Sequence, residues 1–389
     1  MDSRIRVTFV IQGNFKHWAG GKKMAYEYAS NLDKNRFSVT VFQPYLYGTQ
    51  TISNEELNEK LENLNIVYFH YPLGKIASII KNKWVLTVMS TPILPLRYFI
   101  FLITRVMNHT VIKDVSSNSD WIYVVNNDLA ELFPKGTRII GSEHNYLPGI
   151  SNGKPKNGLM NVLPMKLMSF NLAYRKILKF HCINIESYYA LKNYKEAFYL
   201  PNGIDTDSYF PAQRKDKKIK ILFVGRLEVN KGVREVLMAF QKVKDKNIEL
   251  HIAGRGTLEG EVRHNHQRNI VYHSFIAEEE LRVLYRNCDV FLFPSYNEGF
   301  PLTVLEALAS GLYVITSDTM MPRFDSFSKM GLLEYIPIKP QSIIESIRNA
   351  SENIDTIRNL ERKKVAHELV AKNFSIGEVT NQLGKQFST

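Results

Sequence analysis

Short apolar runs recur along the chain, separated by polar or amphipathic stretches. In the first half, residues 5–11, 37–42, 66–70, 84–88, 121–125, 138–142, 181–185 and 198–200 read as strands. In the second half, residues 219–224, 248–252, 270–276, 290–293 and 312–316 do so. Helical spacers between the runs give the rhythm of βαβ units and parallel sheets. Gly20 and Gly21 open one such helix, through Lys22 to about residue 32, and others are predicted over 233–243 and 341–372. A last amphipathic segment closes the chain. With 389 residues, the chain exceeds one ordinary core and predicts two domains.

The sequence is organised around one strand-to-helix passage. The apolar strand at 290–293 enters Pro294-Ser295-Tyr296-Asn297-Glu298-Gly299-Phe300-Pro301, and a helix of about ten residues follows. Pro301 suits the first helical turn, where its missing N–H costs nothing, and Gly311 suits a left-handed stop. Gly299, Phe300, Leu302 and Thr303 therefore present backbone N–H groups at a helix N-terminus on the carboxyl end of a strand. That is an anion site, placed where open α/β sheets bind ligands. Glu306 lies one turn on, so its carboxylate emerges beside those amides. A carboxylate only accepts hydrogen bonds, so it meets hydroxyl groups of the ligand and not its phosphates. Gly225-Arg226-Leu227 follows the strand at 219–224, with Lys231-Gly232 before the next helix. A planar guanidinium and a mobile ammonium five residues apart suit the grip of one diphosphate.

Charge and composition narrow the partners. Fifty basic against thirty-eight acidic residues give a net charge of +12, which draws anionic partners. No RNP or zinc-finger signature accompanies it, so nucleic acid is not expected. Cys182 and Cys288, the two cysteines, fit a reducing compartment, and neither belongs to a metal-ligand motif. No signal-peptide pattern or membrane-length apolar run is present, which predicts a cytoplasmic protein. Residues 63–113 and 154–181 lack acidic residues and interleave cations with Met, Leu and Phe side chains. These stretches are either ordinary helices with basic outer faces or an attachment surface for the anionic inner face of a cell membrane. Asp205-Thr206-Asp207 has the form of a DxD metal motif and is read as coincidence. His144, at the end of the 138–142 strand, suits a general acid or base, a hydrogen-bond donor, or a satisfied structural histidine.

Glu298 and Glu306, eight apart with Gly-Phe-Pro after the first, resemble the E-x7-E motif of retaining glycosyltransferases of family 4, the group 1 glycosyltransferases. Gly-Arg-Leu…Lys-Gly at 225–232 and Pro201-Asn202-Gly203-Ile204-Asp205 resemble that family's phosphate and hinge signatures. The resemblance implies an α/β GT-B fold, two Rossmann-like domains facing across a cleft. It implies an acceptor domain over 1–204, a nucleotide-sugar domain over 205–370, and a terminal helix over 371–389 crossing back to the first. It implies retaining transfer, with no metal or other cofactor, from a nucleotide diphosphate sugar to a glycan or lipid-linked acceptor. The carried-over donor site comprises Gly225, Arg226, Lys231, Gly254, Phe275, Ile276, Glu298, Gly299, Phe300, Pro301, Leu302, Thr303 and Glu306. Of these, Arg226, Lys231 and Glu298 join His144 as the catalytic set, while Gly20, Gly21 and Lys22 lie on the acceptor side. The sequence departs from the family at Lys22-Lys23, at Arg255 between two glycines, and at Met320-Met321-Pro322-Arg323-Phe324. A related epimerase or phosphorylase, or a basic membrane- or nucleic-acid-binding protein with a degenerate pocket, stands as the alternative.

Overall fold

The computed structural model describes residues 3–11, 21–45, 64–70, 102–143, 150–151, 154–155, 173–214, 216–265, 269–274 and 276–389. The chain divides into two compact units, one of residues 1–201 with 379–389 and one of residues 202–378.

The first unit contains β1 (Ile5–Val10), β2 (Phe37–Tyr45), β3 (Asn65–His70), β4 (Trp121–Val124) and β5 (Ile139–Glu143). A small antiparallel pair, β6 (Ile150–Ser151) with β7 (Lys154–Pro155), precedes β8 (Lys179–Cys182) and β9 (Glu196–Tyr199). Seven of these strands form one parallel sheet in the order β3-β2-β1-β4-β5-β8-β9. All residues of β4, β5 and β8 are buried, the pattern of strands covered on both faces. The strand expected at 84–88 lies outside the described residues. The strand expected over 181–185 is corrected to β8, which stops at Cys182. Asn184 then accepts from Ser187 N at 2.7 Å and caps the helix Ile185–Leu191, so capping overrides the β preference of the isoleucines. Val379, Leu383 and Phe387, from the end of the chain, are buried in this unit. Trp121 Nε1 donates to Phe387 O at 2.8 Å, and the Phe387 ring meets Phe9, Phe37 and Tyr123.

His181 is fully buried on β8 between two partners. Its Nε2 lies 2.7 Å from Leu200 O, a carbonyl that only accepts, so Nε2 carries the proton. Its Nδ1 then accepts from the Tyr123 hydroxyl at 2.6 Å. The neutral ring is satisfied on both sides, and burial pushes its pKa down from 6.5 to about 4. The unfolded chain therefore binds a proton between about pH 6.5 and 4 that the folded unit refuses. The folded unit is fully stable with respect to this group above that window and loses stability as the pH falls through it. At pH 5 the loss is about 2 kcal/mol. Urea unfolding of the first unit at pH 7 and pH 5 checks this, and His181→Phe should flatten the difference.

The second unit holds β10 (Ile219–Val224), β11 (Ile248–Ala253), β12 (Ile270–His273), β13 (Val290–Phe293), β14 (Tyr313–Ser317) and β15 (Leu333–Ile336). All six are parallel, in the order β12-β11-β10-β13-β14-β15. From β10 the chain winds outward to β12 and then returns to lay β13, β14 and β15 on the other side. The order therefore reverses between β10 and β13, and the loops leaving their carboxyl ends flank a switch point. The region predicted helical over 341–372 is three helices, Pro340–Glu352, Ile354–Arg358 and Leu360–Phe374. They break at Asn353 and Asn359, and the Asn359 side chain caps the third by accepting from Arg362 N at 3.1 Å. At the opposite end of the sheet, Asp289 is wholly buried just before β13. Arg214 and Arg358 both pair with its carboxylate, at 2.7 and 2.9 Å, and Lys220 N donates to it at 3.0 Å.

Candidate active site at the sheet switch point

Two loops meet at the carboxyl end of the second sheet. After β10 the chain passes through Gly225 and Arg226 into a short 3-10 turn, Val229–Lys231, and then Gly232. Gly232 has φ +72°, and a Cβ there would sit 2.2 Å from Pro294 O in the loop after β13. Only glycine meets both demands, so it sets how closely the loops approach. Tyr296 N donates to Asn230 O at 2.9 Å across the same seam. Gly254, at the end of β11 with φ +147°, likewise lies against Gly225 O, where a Cβ would be 1.9 Å away.

This closeness places charge. The Lys231 side chain is 9% exposed, and its ammonium pairs directly with the Glu298 carboxylate, itself 16% exposed. Ser295 Oγ donates to the same Glu298 oxygen at 2.9 Å. Arg226 is exposed. The loop beyond Glu298 is anchored by Phe300, which is buried against Phe324 and Phe374. The helix that follows runs Leu302–Ala309, with Pro301 as its N-cap in an extended conformation, φ −76° and ψ 113°. Pro301 is thus one position earlier than expected: the chain is still extended as it leaves the anchored Phe300 and turns helical at Leu302. Gly311 closes the helix at φ +77°, as the sequence predicts. Among the described residues no acceptor is found for the backbone N–H groups of Gly299, Phe300, Leu302 or Thr303. They remain available to an anion.

Several supporting residues have no signature in the sequence. Tyr285, fully buried on the helix Glu278–Arg286, donates its hydroxyl to Glu306 at 2.9 Å. Burial and the neighbouring Glu306 charge hold the Tyr285 phenol far above its ordinary pKa, so it stays a donor at working pH. Ser317, the last residue of β14, and Thr319, just beyond it, donate to Ser295 O at 2.5 and 2.9 Å. Arg323 donates Nε to Gly299 O at 3.0 Å and Nη1 to Thr319 O at 2.9 Å. In a trans peptide the carbonyl and the next N–H point in opposite directions. Holding Gly299 O toward Arg323 therefore turns Phe300 N–H the other way. Arg323 stands in the segment where the sequence departs from the family pattern, so spacing alone gives it no role. Thr316-Ser317-Asp318-Thr319, a run of small polar residues at a strand end, is the available hint.

Other expected residues fall elsewhere or outside the description. Ile276 is half-buried beyond β12. His144, Gly20 and Phe275 lie outside the described residues, while Gly21 and Lys22 begin the helix Gly21–Asn31. Asp205 uses one carboxylate oxygen on Asp207 N and the other on the Ser208 hydroxyl, a local turn. Among the described residues no cluster of three or more His, Cys, Asp or Glu side chains suits a metal ion.

Free amides at a helix N-terminus, a loop lysine and two carboxylates at a switch point together suit a ligand that is anionic at one end and rich in hydroxyls at the other. The two parallel sheets give the chain the GT-B fold. Sucrose-phosphate synthase from Thermosynechococcus elongatus matches 99% of this chain and 98% of its own, with a TM-score of 0.73 at 16% identity. Anabaena Alr3699/HepE in complex with UDP-glucose matches 99% and 100%, with a TM-score of 0.66 at 15% identity. Residues 205–363, which fall within the second unit, match the family described as "Glycosyl transferases group 1". A curated relative is the N,N'-diacetylbacillosaminyl-diphospho-undecaprenol alpha-1,3-N-acetylgalactosaminyltransferase of Campylobacter jejuni. It is 32% identical over 129 residues, which make up 30% of this chain and 34% of the relative. The chain thus spans about a third of that relative's length.

Proposed function

We propose that this protein transfers a glycosyl group from a nucleoside diphosphate sugar to a lipid-linked or membrane-associated glycan, with retention at the anomeric carbon. The observation that carries the reading is the meeting of Lys231 and Glu298 beside the N–H groups of Gly299, Phe300, Leu302 and Thr303, which find no acceptor among the described residues. In this reading the bond from the anomeric carbon to the diphosphate breaks while a bond to the acceptor oxygen forms on the same face. The acceptor proton passes to the leaving phosphate. Arg226, Lys231 and the amides of Gly299, Phe300, Leu302 and Thr303 offset the charge that develops on that phosphate, so no metal is required. Glu298 accepts from sugar hydroxyls and Glu306 from the ribose. Gly225, Gly254 and Ile276, in the second unit, line the nucleotide. The Campylobacter relative's name, with its diphospho-undecaprenol acceptor, supports the lipid-linked class.

The test is transfer by purified protein from a panel of uridine and guanosine diphosphate sugars, with the product's anomeric configuration read by NMR. Inversion, or turnover abolished by EDTA and restored by manganese, would refute the mechanism. Tyr285→Phe should weaken nucleotide-sugar binding about tenfold, because Glu306 loses a charge-assisted partner. Isothermal titration checks it.

Attachment to an anionic membrane surface is part of the same proposal. Residues 71–101 and 156–172 of the two acid-free stretches lie outside the description. In the described part, Leu102, Val106 and Met107 are 47%, 69% and 57% exposed beside exposed Arg105. Apolar side chains among cations suit a leaflet surface. No helix among the described residues is long and apolar enough to cross a membrane. Cosedimentation with vesicles of rising anionic-lipid content should increase at low salt. Absence of binding at every composition would favour a soluble acceptor.

A further inference from the structure

The Lys231–Glu298 pair bears on which ligand the site retains, an inference that rests on the donor-site reading above. Without a ligand, the ammonium expected to grip a diphosphate is already matched by a carboxylate. That carboxylate is held in place. Ser295, with no exposed surface, donates to it, and Ser295 is itself fixed because its carbonyl accepts from Ser317 and Thr319. The lysine is also held, since its loop is closed against Pro294 by Gly232 and Asn230. Any phosphate that reaches the Lys231 ammonium therefore comes within a few ångströms of the Glu298 charge, and two anions share one cation.

The consequence differs for the two ligands of the reaction. A nucleoside diphosphate sugar ends in a neutral ring whose hydroxyls donate to Glu298 while its phosphate shares Lys231. After transfer, the terminal phosphate has no sugar and undergoes a further ionisation with a pKa of about 6, so it is more negative at neutral pH. It offers the carboxylate no donor and repels it. At a distance of about 5 Å and an effective dielectric constant of about 20, such a like-charge contact changes a binding constant tenfold or more.

We propose that the Lys231–Glu298 pair discriminates between donor and product. It admits the diphosphate only when a hydroxyl-bearing sugar accompanies it, and it drives the free nucleoside diphosphate out once the sugar has left. Glu298 then has a role in product release distinct from its contact with the sugar.

The experiment is isothermal titration of the full chain with UDP, GDP, UDP-glucose and GDP-mannose, using wild type, Glu298→Gln and Lys231→Ala. The glutamine amide keeps an oxygen for the Ser295 hydroxyl and removes the charge; melting temperatures establish that the variants fold, and Glu298→Ala should shift binding in the same direction. The free diphosphate is expected to bind Glu298→Gln about tenfold more tightly than wild type. The preference for nucleotide sugar over diphosphate should fall by at least that factor, and product inhibition should deepen to match. Unchanged or weaker diphosphate binding in Glu298→Gln overturns the proposal and makes Glu298 a mere support for Lys231. If wild type binds none of the four ligands, or Lys231→Ala binds the diphosphate as wild type does, the donor-site reading itself fails.

Discussion

Lys231→Ala is expected to lower kcat/KM for glycosyl transfer by roughly ten- to a hundredfold, the larger of the effects expected at the diphosphate. The substitution removes a charge-assisted bond, worth about 1.5–3 kcal/mol on its own. It also leaves the Glu298 carboxylate, 16% exposed, without its cation and beside the arriving phosphate. The two losses act in the same direction. Arg226→Ala should cost roughly tenfold, because Arg226 is exposed and no comparable partner is stranded. Initial-rate kinetics over a donor concentration series check both. Near-native values for both variants would remove these side chains from the mechanism.

The largest effect on stability is expected at Asp289. Asp289→Ala should destabilise the second unit by about 3 kcal/mol, since it removes the buried carboxylate shared by Arg214, whose side chain is 6% exposed, and Arg358, leaving Arg214 only Asp216 and the Lys218 carbonyl and Arg358 only backbone carbonyls. It also leaves Lys220 N without the acceptor that ties β10 to the start of β13. Asp289→Asn should cost less, because one oxygen still accepts. Urea unfolding followed at several wavelengths should show the transition of the second unit moving to lower denaturant. The transition of the first unit should stay in place, since no residue of this cluster belongs to it.

What the sequence discloses depends on whether a residue acts through its neighbours or through distant parts of the chain. Strand β13, Val-Phe-Leu-Phe, is legible because a strand buried on both faces leaves an unbroken apolar run, and β10 and β11 because few polar residues, Lys220 in one and Glu249 and His251 in the other, interrupt theirs. The turn around Glu298 is legible because the glycines, the proline and the glutamates that shape it are close in sequence. Strand β15, Leu-Glu-Tyr-Ile, is too short and too polar to stand out. Tyr285 and Arg323 support the site from 21 and 24 residues away, through contacts that only the assembled sheet creates. The pairing of Lys231 with Glu298 is hidden for the same reason: 67 residues separate them. Spacing presents each as a ligand contact and does not show that they first contact each other.

The contribution of residues 379–389 to the first unit reverses the usual order of folding during synthesis. The second unit is a single uninterrupted stretch, 202–378, and has all its parts as soon as that stretch leaves the ribosome. The first unit begins earlier and must wait, with Phe9, Phe37, Trp121 and Tyr123 lacking the Phe387 ring that completes their packing. At about 5–20 residues per second, that wait lasts on the order of ten seconds or more. Through that interval the nascent chain carries an unfinished aromatic core, a natural site for chaperone engagement.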